Sequence, residues 1–171
     1  MRKAQNERIH QTFAARAKDP AANAAWEEAC HVWHGTRLPA DYLWSGEFGQ
    51  RVRSGDREAV KDAVLFLEVD PWYFRSGYLK ERLIDGLKRA PLTEHDRERL
   101  RQVILNVAHG RNRREFRYYC RLAAVVENAE FRRALEREAE KGGPSALGKL
   151  AYLLSYLRQH SKLQTGGDVN A

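Results

Sequence analysis

The chain has no long hydrophobic run. No uninterrupted apolar stretch exceeds five residues, the length reached for example at 63–67 and 122–126, whereas a helix that crosses a bilayer needs about 20 apolar residues. We therefore expect no membrane-spanning segment and no membrane partner. The first 18 residues also lack the apolar region of a secretory signal, so we expect a protein that is not exported.

Cysteine is scarce, with only Cys30 and Cys120. Two cysteines inside helical patterns do not form the disulfide framework of a small secreted domain, so we expect a cytoplasmic location. Cys30 and His34 have the spacing of one helical face, but zinc needs three or four ligands. Trp26 and Trp33 continue the same apolar stripe. We therefore expect Cys30 to pack in a core and predict no metal site.

Recognised catalytic motifs are missing as well. The chain has no glycine-rich phosphate loop, no nucleophile motif with a partner and no cofactor fingerprint. Its acidic residues stand mostly at predicted helix caps or beside arginine and lysine. We expect no catalytic residues and no cofactor, which makes enzymatic activity the third of three functional hypotheses.

Positive charge is in excess. The chain has 30 lysine and arginine residues and 23 aspartate and glutamate residues, which gives a net charge of +7. This excess favours an acidic partner, such as a nucleic acid or an acidic protein surface. With 43% hydrophobic and 31% charged residues, the composition fits helices that have narrow apolar stripes and charged outer faces.

The apolar pattern of residues 60–67 recurs 40 positions later. The corresponding pairs are Val60 and Leu100, Ala63 and Val103, Val64 and Ile104, and Leu67 and Val107. The triplet Asp-Arg-Glu at 56–58 recurs at 96–98, and Tyr78 recurs as Tyr118. A period near 40 is the length at which stacked helix pairs share a continuous core. The sequence therefore predicts stacked helical hairpins.

Apolar spacing and capping residues predict six to eight helices. They are placed at 4–18, 21–33, 54–68, 76–89, 93–108, 113–126, 129–140 and 145–160. The cap of the third of these is either Ser54 or Asp56. The segment 37–49 fits either a short helix or a packed loop. Thr93 and Asp96 have the spacing of a capping box.

We expect one helical domain over 1–161, with a repeat-like core at about 54–127. The tail 162–171 is predicted to be disordered, because it has few aliphatic residues. In the last helix the predicted buried positions follow helical spacing. They are Leu147, Leu150, Ala151, Leu154 and Leu157.

The repeated helix pairs resemble HEAT and armadillo repeats over about 55–126. The resemblance implies an all-α fold of stacked antiparallel hairpins that form a short solenoid. Proteins of this architecture mostly bind proteins or nucleic acids along an extended face, and a few HEAT-like proteins are DNA glycosylases. We therefore expect a non-catalytic binding or scaffold module for a protein partner, with nucleic-acid binding as the alternative.

Arginines are densest just after Gly110. The cluster consists of Arg111, Arg113, Arg114, Arg117 and Arg121. If the helix begins at residue 113, the four arginines from Arg113 to Arg121 lie within one third of its circumference, which predicts that they share an exposed face. Guanidinium groups match phosphate geometry, so this face is a candidate contact for a nucleic acid or an acidic protein. The other interpretation is a solvated face whose arginines pair with Asp96 or Glu98.

Three aromatic residues follow one another in the turn Pro71-Trp72-Tyr73-Phe74-Arg75. Because three consecutive rings cannot all face one core, one of them is expected to be exposed as a contact, with Arg75 beside it. In the other interpretation, Trp72 and Phe74 close the hairpin end and Tyr73 extends its hydroxyl to water. Trp72, Tyr73 and Arg75 join the arginine cluster as candidate contact residues.

Overall fold

The computed structural model describes residues 2–35, 41–73, 75–141 and 144–160, and the side chains of all of these except 2–3, 33–35 and 144–147. Within these ranges every element is helical, and no strand occurs. The α-helices are α1 (Arg2–Ala15), α2 (Pro20–Gly35), α3 (Gly46–Ser54), α4 (Arg57–Val69), α5 (Ser76–Leu87), α6 (Glu94–His109), α7 (Phe116–Val126), α8 (Ala129–Lys141) and α9 (Pro144–His160). A 3₁₀ helix covers Asp41–Trp44. The all-α prediction is confirmed, while the predicted number of helices is too low.

The chain forms two compact units, Met1–Tyr42 and Leu43–Ala171. In the first unit, α1 packs against α2. The ring of Phe13 meets Trp26 edge-on, with centroids 6.1 Å apart. Asp19 accepts a hydrogen bond from the backbone N–H of Ala22 at 2.8 Å, which satisfies a free donor in the first turn of α2.

The second unit has four central helices, α4 to α7. Helix α4 packs against α5 and α6, and α7 packs against α5 and α6. Helix α3 lies against α4 and α5, whereas α9 lies against α6 and α7 and carries α8 beside it. These contacts fit a helical bundle with α3 on one side and α9 on the other.

The recurrent apolar positions form the core of this unit. Val60, Val64 and Ile104 are fully buried, and the other positions of the two stripes are at most 4% exposed. The prediction of equivalent core stripes is confirmed. At the outer recurrent position, Tyr78 is 47% exposed and Tyr118 is half-buried. Equivalent positions on the adjacent helices α5 and α7 therefore carry tyrosines outside the fully buried core.

For the segment 37–49 the sequence left a short helix and a packed loop as alternatives. Its part from residue 46 onward belongs to helix α3, while residues 36–40 lie outside the described residues. The helix begins after Ser45, whose hydroxyl accepts from the backbone N–H of Phe48 at 3.0 Å. It continues to Ser54 and ends at Gly55, which has a φ of 83°. Of the two residues that the sequence offers as the cap of the next helix, Ser54 and Asp56, Asp56 is the one that caps α4. The sequence signal was weak because only Phe48 and Val52 of α3 are buried.

The predicted stripe of α9 is wrong in part. Leu150 and Leu157 are fully buried as expected, but Leu153 is the third buried leucine, while Ala151 is exposed and Leu154 is half-buried. Lys149 also faces inward, where it bonds to carbonyl groups at the end of α6. The Leu147 side chain and the tail 162–171 lie outside the described part.

The predicted capping box at the start of α6 is confirmed. Thr93 accepts from the backbone N–H of Asp96, and the Asp96 carboxylate accepts from the backbone N–H of Thr93. Arg57 of α4 donates two hydrogen bonds to the same carboxylate, at 2.9 and 3.4 Å. Burial by itself raises the pKa of Asp96, but the bonds from Arg57 and Thr93 outweigh it and lower this pKa to about 2.

Asp96 is expected to contribute stability that depends on pH. Because its pKa is lower in the folded state, the contribution is complete above the unfolded pKa of about 4 and is lost as the pH falls toward 2. We expect Asp96→Asn to lower the free energy of unfolding by about 2 kcal/mol near pH 7, and by much less at about pH 2.5. Urea denaturation measures both values, with Glu130→Gln as an exposed control. An equal loss at both pH values contradicts the prediction.

Candidate functional site

An ionic cluster of buried cations around the partly exposed Asp70 anchors the two turns that carry the candidate contact residues. Asp70 ends α4 in a left-handed conformation with a φ of 46°. Its carboxylate accepts two hydrogen bonds from Arg113, at 2.8 and 3.0 Å, and one from Lys80 at 2.5 Å. The side chain of Lys80 is fully buried and that of Arg113 is 6% exposed. The buried Glu115 carboxylate lies 3.9 Å from Arg113, so two cations face two carboxylates.

The charges of this cluster hold Asp70 in its ionised form. Burial by itself raises the pKa of Asp70, but the hydrogen bonds from Arg113 and Lys80 outweigh burial and bring this pKa below its ordinary value. Tyr119 is completely buried, and burial together with the charge of Asp70 raises the pKa of its hydroxyl. At neutral pH the cluster is therefore a fixed set of ion pairs with a neutral tyrosine.

Lys149 of α9 bonds to the backbone at the end of α6 and in the turn that follows it, just before Arg113. Its ammonium group donates to the carbonyl oxygens of Val107, Gly110 and Arg111. Burial, and then the charge of Arg113, lower the pKa of Lys149. A cation at the carboxyl end of α6 meets the negative end of the helix dipole, so Lys149 stabilises the turn after α6.

The predicted common face of the arginine cluster is wrong for Arg113. Helix α7 begins at Phe116, so Arg113 and Arg114 lie before it, and the helical spacing assumed for them does not apply. Arg113 turns inward to Asp70, whereas Arg114 is 56% exposed and pairs with Glu81 at 3.0 Å.

The alternative pairing of the cluster with α6 is wrong as well. Asp96 bonds to Arg57, and Glu98 bonds to Arg101. Arg111, Arg117 and Arg121 are exposed. The arginines that remain at the surface are therefore free of the two carboxylates that the sequence offered as partners.

Arginine side chains lie over aromatic rings across one region of the second unit. The guanidinium carbon of Arg111 is 3.3 Å from the ring centroid of Trp72, and that of Arg114 is 3.9 Å from the centroid of Tyr78. Such stacks are cation–π contacts. We call this region the arginine–aromatic surface, and it comprises Trp44, Trp72, Arg75, Tyr78, Arg82, Arg111, Arg114, Tyr118 and Arg121.

Shared members connect four of these six stacks. Arg75 lies 5.7 Å from the ring of Trp44 and 5.9 Å from that of Tyr78. Arg82 lies 5.9 Å from the Trp44 ring and donates a hydrogen bond to the Trp44 carbonyl at 2.9 Å. Trp44, Arg75, Tyr78 and Arg82 therefore form one continuous patch, which Arg114 extends.

The aromatic turn contributes one strongly exposed ring. Trp72 is 72% exposed, whereas Tyr73 is 39% exposed and meets Phe66 edge-on with centroids 6.4 Å apart. The alternative in which Trp72 closes the hairpin end is therefore wrong, and Phe74 lies outside the described residues. Arg75 has a positive φ of 67° just before α5.

A cleft of about 540 Å³ adjoins the arginine–aromatic surface. Residues of α3, α5 and α7 line it, and Leu43, Val52 and Leu83 form its apolar part. Its charged part consists of Arg53, Glu81, Arg82, Asp85 and Arg121. Of these residues, the sequence predicted only Arg121 as a contact.

Four members of the arginine–aromatic surface were missed by the sequence reasoning, namely Trp44, Tyr78, Arg82 and Tyr118. For the tyrosines a signal existed, since they recur at equivalent positions of the two hairpins and fall outside the buried stripes. Trp44 and Arg82 had no such signal because their contact joins residues 38 positions apart.

The described ranges contain neither a grouped set of metal ligands nor a membrane-spanning helix. No three histidine, cysteine, aspartate or glutamate side chains there are grouped so that they could hold a metal ion. Cys30 is half-buried, and burial raises the pKa of the Cys120 thiol to about 12. None of the described helices combines the length and apolar character needed to cross a bilayer.

Comparison with known proteins returned no match. No protein-family model, curated protein or solved structure is significantly similar to this chain.

Proposed function

We propose that this protein is a non-catalytic binding module that holds single-stranded nucleic acid on the arginine–aromatic surface. The observation that carries the proposal is the pairing of exposed arginines with aromatic rings in one region. A single strand offers both of the groups that such a surface contacts, phosphates and unstacked bases.

Uncompensated charge supports a polyanionic partner. Arg114 has the carboxylate of Glu81, but no carboxylate in the described ranges lies within 4 Å of the other arginines of this surface. These are Arg75, Arg82, Arg111 and Arg121, and all four are exposed. Each of them is available to a phosphate, whose oxygens accept the forked hydrogen bonds of a guanidinium group.

Exposed rings support a single strand rather than a duplex. Trp72 and Tyr78 present accessible rings, and every base has a π face that can stack on them. In a duplex the bases are already stacked on one another, so these rings would remain unused. Stacking on aromatic side chains contributes about 1–3 kcal/mol per base.

The arrangement of the two helical hairpins makes the arginine–aromatic surface long enough for an extended ligand. We propose that the hairpins α4–α5 and α6–α7 stack as HEAT or armadillo repeats do. Both α5 and α7 then place their outer tyrosines, Tyr78 and Tyr118, on the same side. A repeating helical face of this kind suits an extended ligand better than a small one.

Removal of two uncompensated arginines tests the proposal. We expect the double variant Arg111→Gln, Arg121→Gln to bind a labelled single-stranded oligonucleotide at least about tenfold more weakly, because two charged contacts with the strand are lost. Fluorescence anisotropy measures the affinity, with a duplex of the same sequence titrated in parallel.

A matched control removes the same charge elsewhere. Arg133→Gln, Arg137→Gln changes two exposed arginines of α8, which lies outside the arginine–aromatic surface. This control is expected to bind within about twofold of the unmodified protein. Equal weakening by both double variants means that net charge alone attracts the strand, and it contradicts the assigned surface.

A protein partner is the second candidate, and exposed apolar residues near the end of α4 favour it. Leu65 is 49% exposed, Val69 is 66% exposed and Trp72 is 72% exposed. Apolar residues grouped in this way are typical of protein contacts, in which tryptophan and arginine often dominate the affinity. This candidate predicts that neither single-stranded nor duplex oligonucleotides bind at low salt.

A cytoplasmic location is part of the proposal. Cys30 and Cys120 are both free thiols, which suits a reducing compartment. Nucleic acid is abundant in the same compartment, so location and proposed partner are consistent.

A further inference from the structure

We infer that the cleft between α3, α5 and α7 accepts one unstacked base of the bound strand and prefers guanine. This inference rests on the proposed function, because it assigns one nucleotide position of the same ligand. Glu81 lines the cleft and bonds to Arg114 of the arginine–aromatic surface. A strand that stacks on Tyr78 beside Arg114 therefore passes the opening of the cleft.

The size and walls of the cleft suit a nucleotide. Its volume of about 540 Å³ is within the range of about 300–1,000 Å³ that small-ligand sites have. Leu43, Val52 and Leu83 give it an apolar wall. Gly46 and Gly49 keep the α3 side open, since no described atom outside the local helix lies within 4 Å of the position that a Cβ would take there.

Two cations in the cleft are available for the phosphate of the same nucleotide. Arg82 donates to the Trp44 carbonyl at 2.9 Å, and Arg121 lies 5.0 Å from the ring of Tyr118. Neither has a carboxylate within ion-pair distance among the described residues. Arg53, in contrast, reaches Asp85 at 3.4 Å.

The two carboxylates of the cleft differ in the number of hydrogen bonds that they accept from the described residues. Asp85 accepts from Arg53, Lys88 and Arg89. Glu81 accepts from Arg114 through Oε1, and no donor in the described part of the chain bonds its Oε2. The Glu81 side chain is 12% exposed, so it retains acceptor capacity on a largely desolvated wall.

Guanine is the base that matches a carboxylate with acceptor capacity left, since each carboxylate oxygen can accept more than one hydrogen bond. Its Watson–Crick edge carries two adjacent donors, N1–H and the N2 amino group, and a carboxylate accepts both in a bidentate pair. Adenine and cytosine place an acceptor beside their amino group, and uracil places acceptors on both sides of its single donor. Those edges leave a repulsive contact with the carboxylate.

The test compares oligouridylate strands of about nine nucleotides that carry one central guanine, adenine or cytosine. We expect the guanine strand to bind about tenfold more tightly than the other two, as one bidentate contact discriminates by this order. Glu81→Gln replaces one acceptor by a donor and is expected to abolish the preference while the all-uridine strand still binds. Glu136→Gln on α8 serves as a control with the same charge change and is expected to keep the preference.

The outcomes separate this inference from the proposed function. If all strands bind with equal affinity, the guanine site is wrong and the strand-binding function stands. A guanine preference that persists in Glu81→Gln also overturns the site. If no strand binds at low salt, the proposed function itself fails.

Discussion

Replacing Asp70 with asparagine is expected to lower the free energy of unfolding by about 3–5 kcal/mol, because it leaves buried cations without their partner. Lys80 is fully buried, and Arg113 directs both terminal nitrogens at the lost charge. Asparagine accepts the left-handed backbone that Asp70 adopts. The substitution therefore tests the charge with little backbone strain, and urea denaturation near neutral pH measures it.

Asp56→Asn is the matched control for this substitution. Asp56 caps α4 and pairs with Arg51, but both side chains are well exposed, at 38% and 45%. Asparagine caps a helix about as well as aspartate, and an exposed ion pair contributes little to stability. If Asp70→Asn costs no more than Asp56→Asn, the Asp70 cluster does not hold the two turns together.

Replacing Ile104 with aspartate is expected to lower stability by about 4 kcal/mol or more, which approaches the whole stability of many small domains. Ile104 is fully buried in α6, where a carboxylate has no water. Thermal or urea denaturation followed by circular dichroism measures the loss.

Gln102→Asp provides the control in the same helix. Gln102 is exposed, so its replacement is expected to cost only about 0.5 kcal/mol through helix propensity. Equal effects of the two aspartates contradict the assigned register of α6, and with it the stacking of α4 on α6.

Much of the fold was predictable because its causes are local or periodic. The stripe at Val60 and Ile104 follows from helical spacing, and its recurrence reveals two similar hairpins. The capping box of Thr93 and Asp96 depends on residues three apart. For α3 the sequence left a short helix and a packed loop as alternatives, because Phe48 and Val52 are its only two buried residues.

The candidate site was predictable only in part, because its geometry depends on contacts between distant residues. Arg113 was assigned to an exposed face, yet Asp70, 43 positions earlier, draws it into the interior. Arg111 and Trp72 were each singled out as contacts, but their stacking depends on how two turns meet. The carboxylate of Glu81 gained its significance only from the cleft that three helices form.

The salt dependence of oligonucleotide affinity tests the central claim most directly. Single-strand binding through four or five arginines predicts that log affinity falls with log salt at a slope of roughly −3, measured by anisotropy between about 50 and 200 mM salt. A flat dependence, or no binding at the lowest salt, contradicts the proposal that the arginine–aromatic surface holds a nucleic-acid strand.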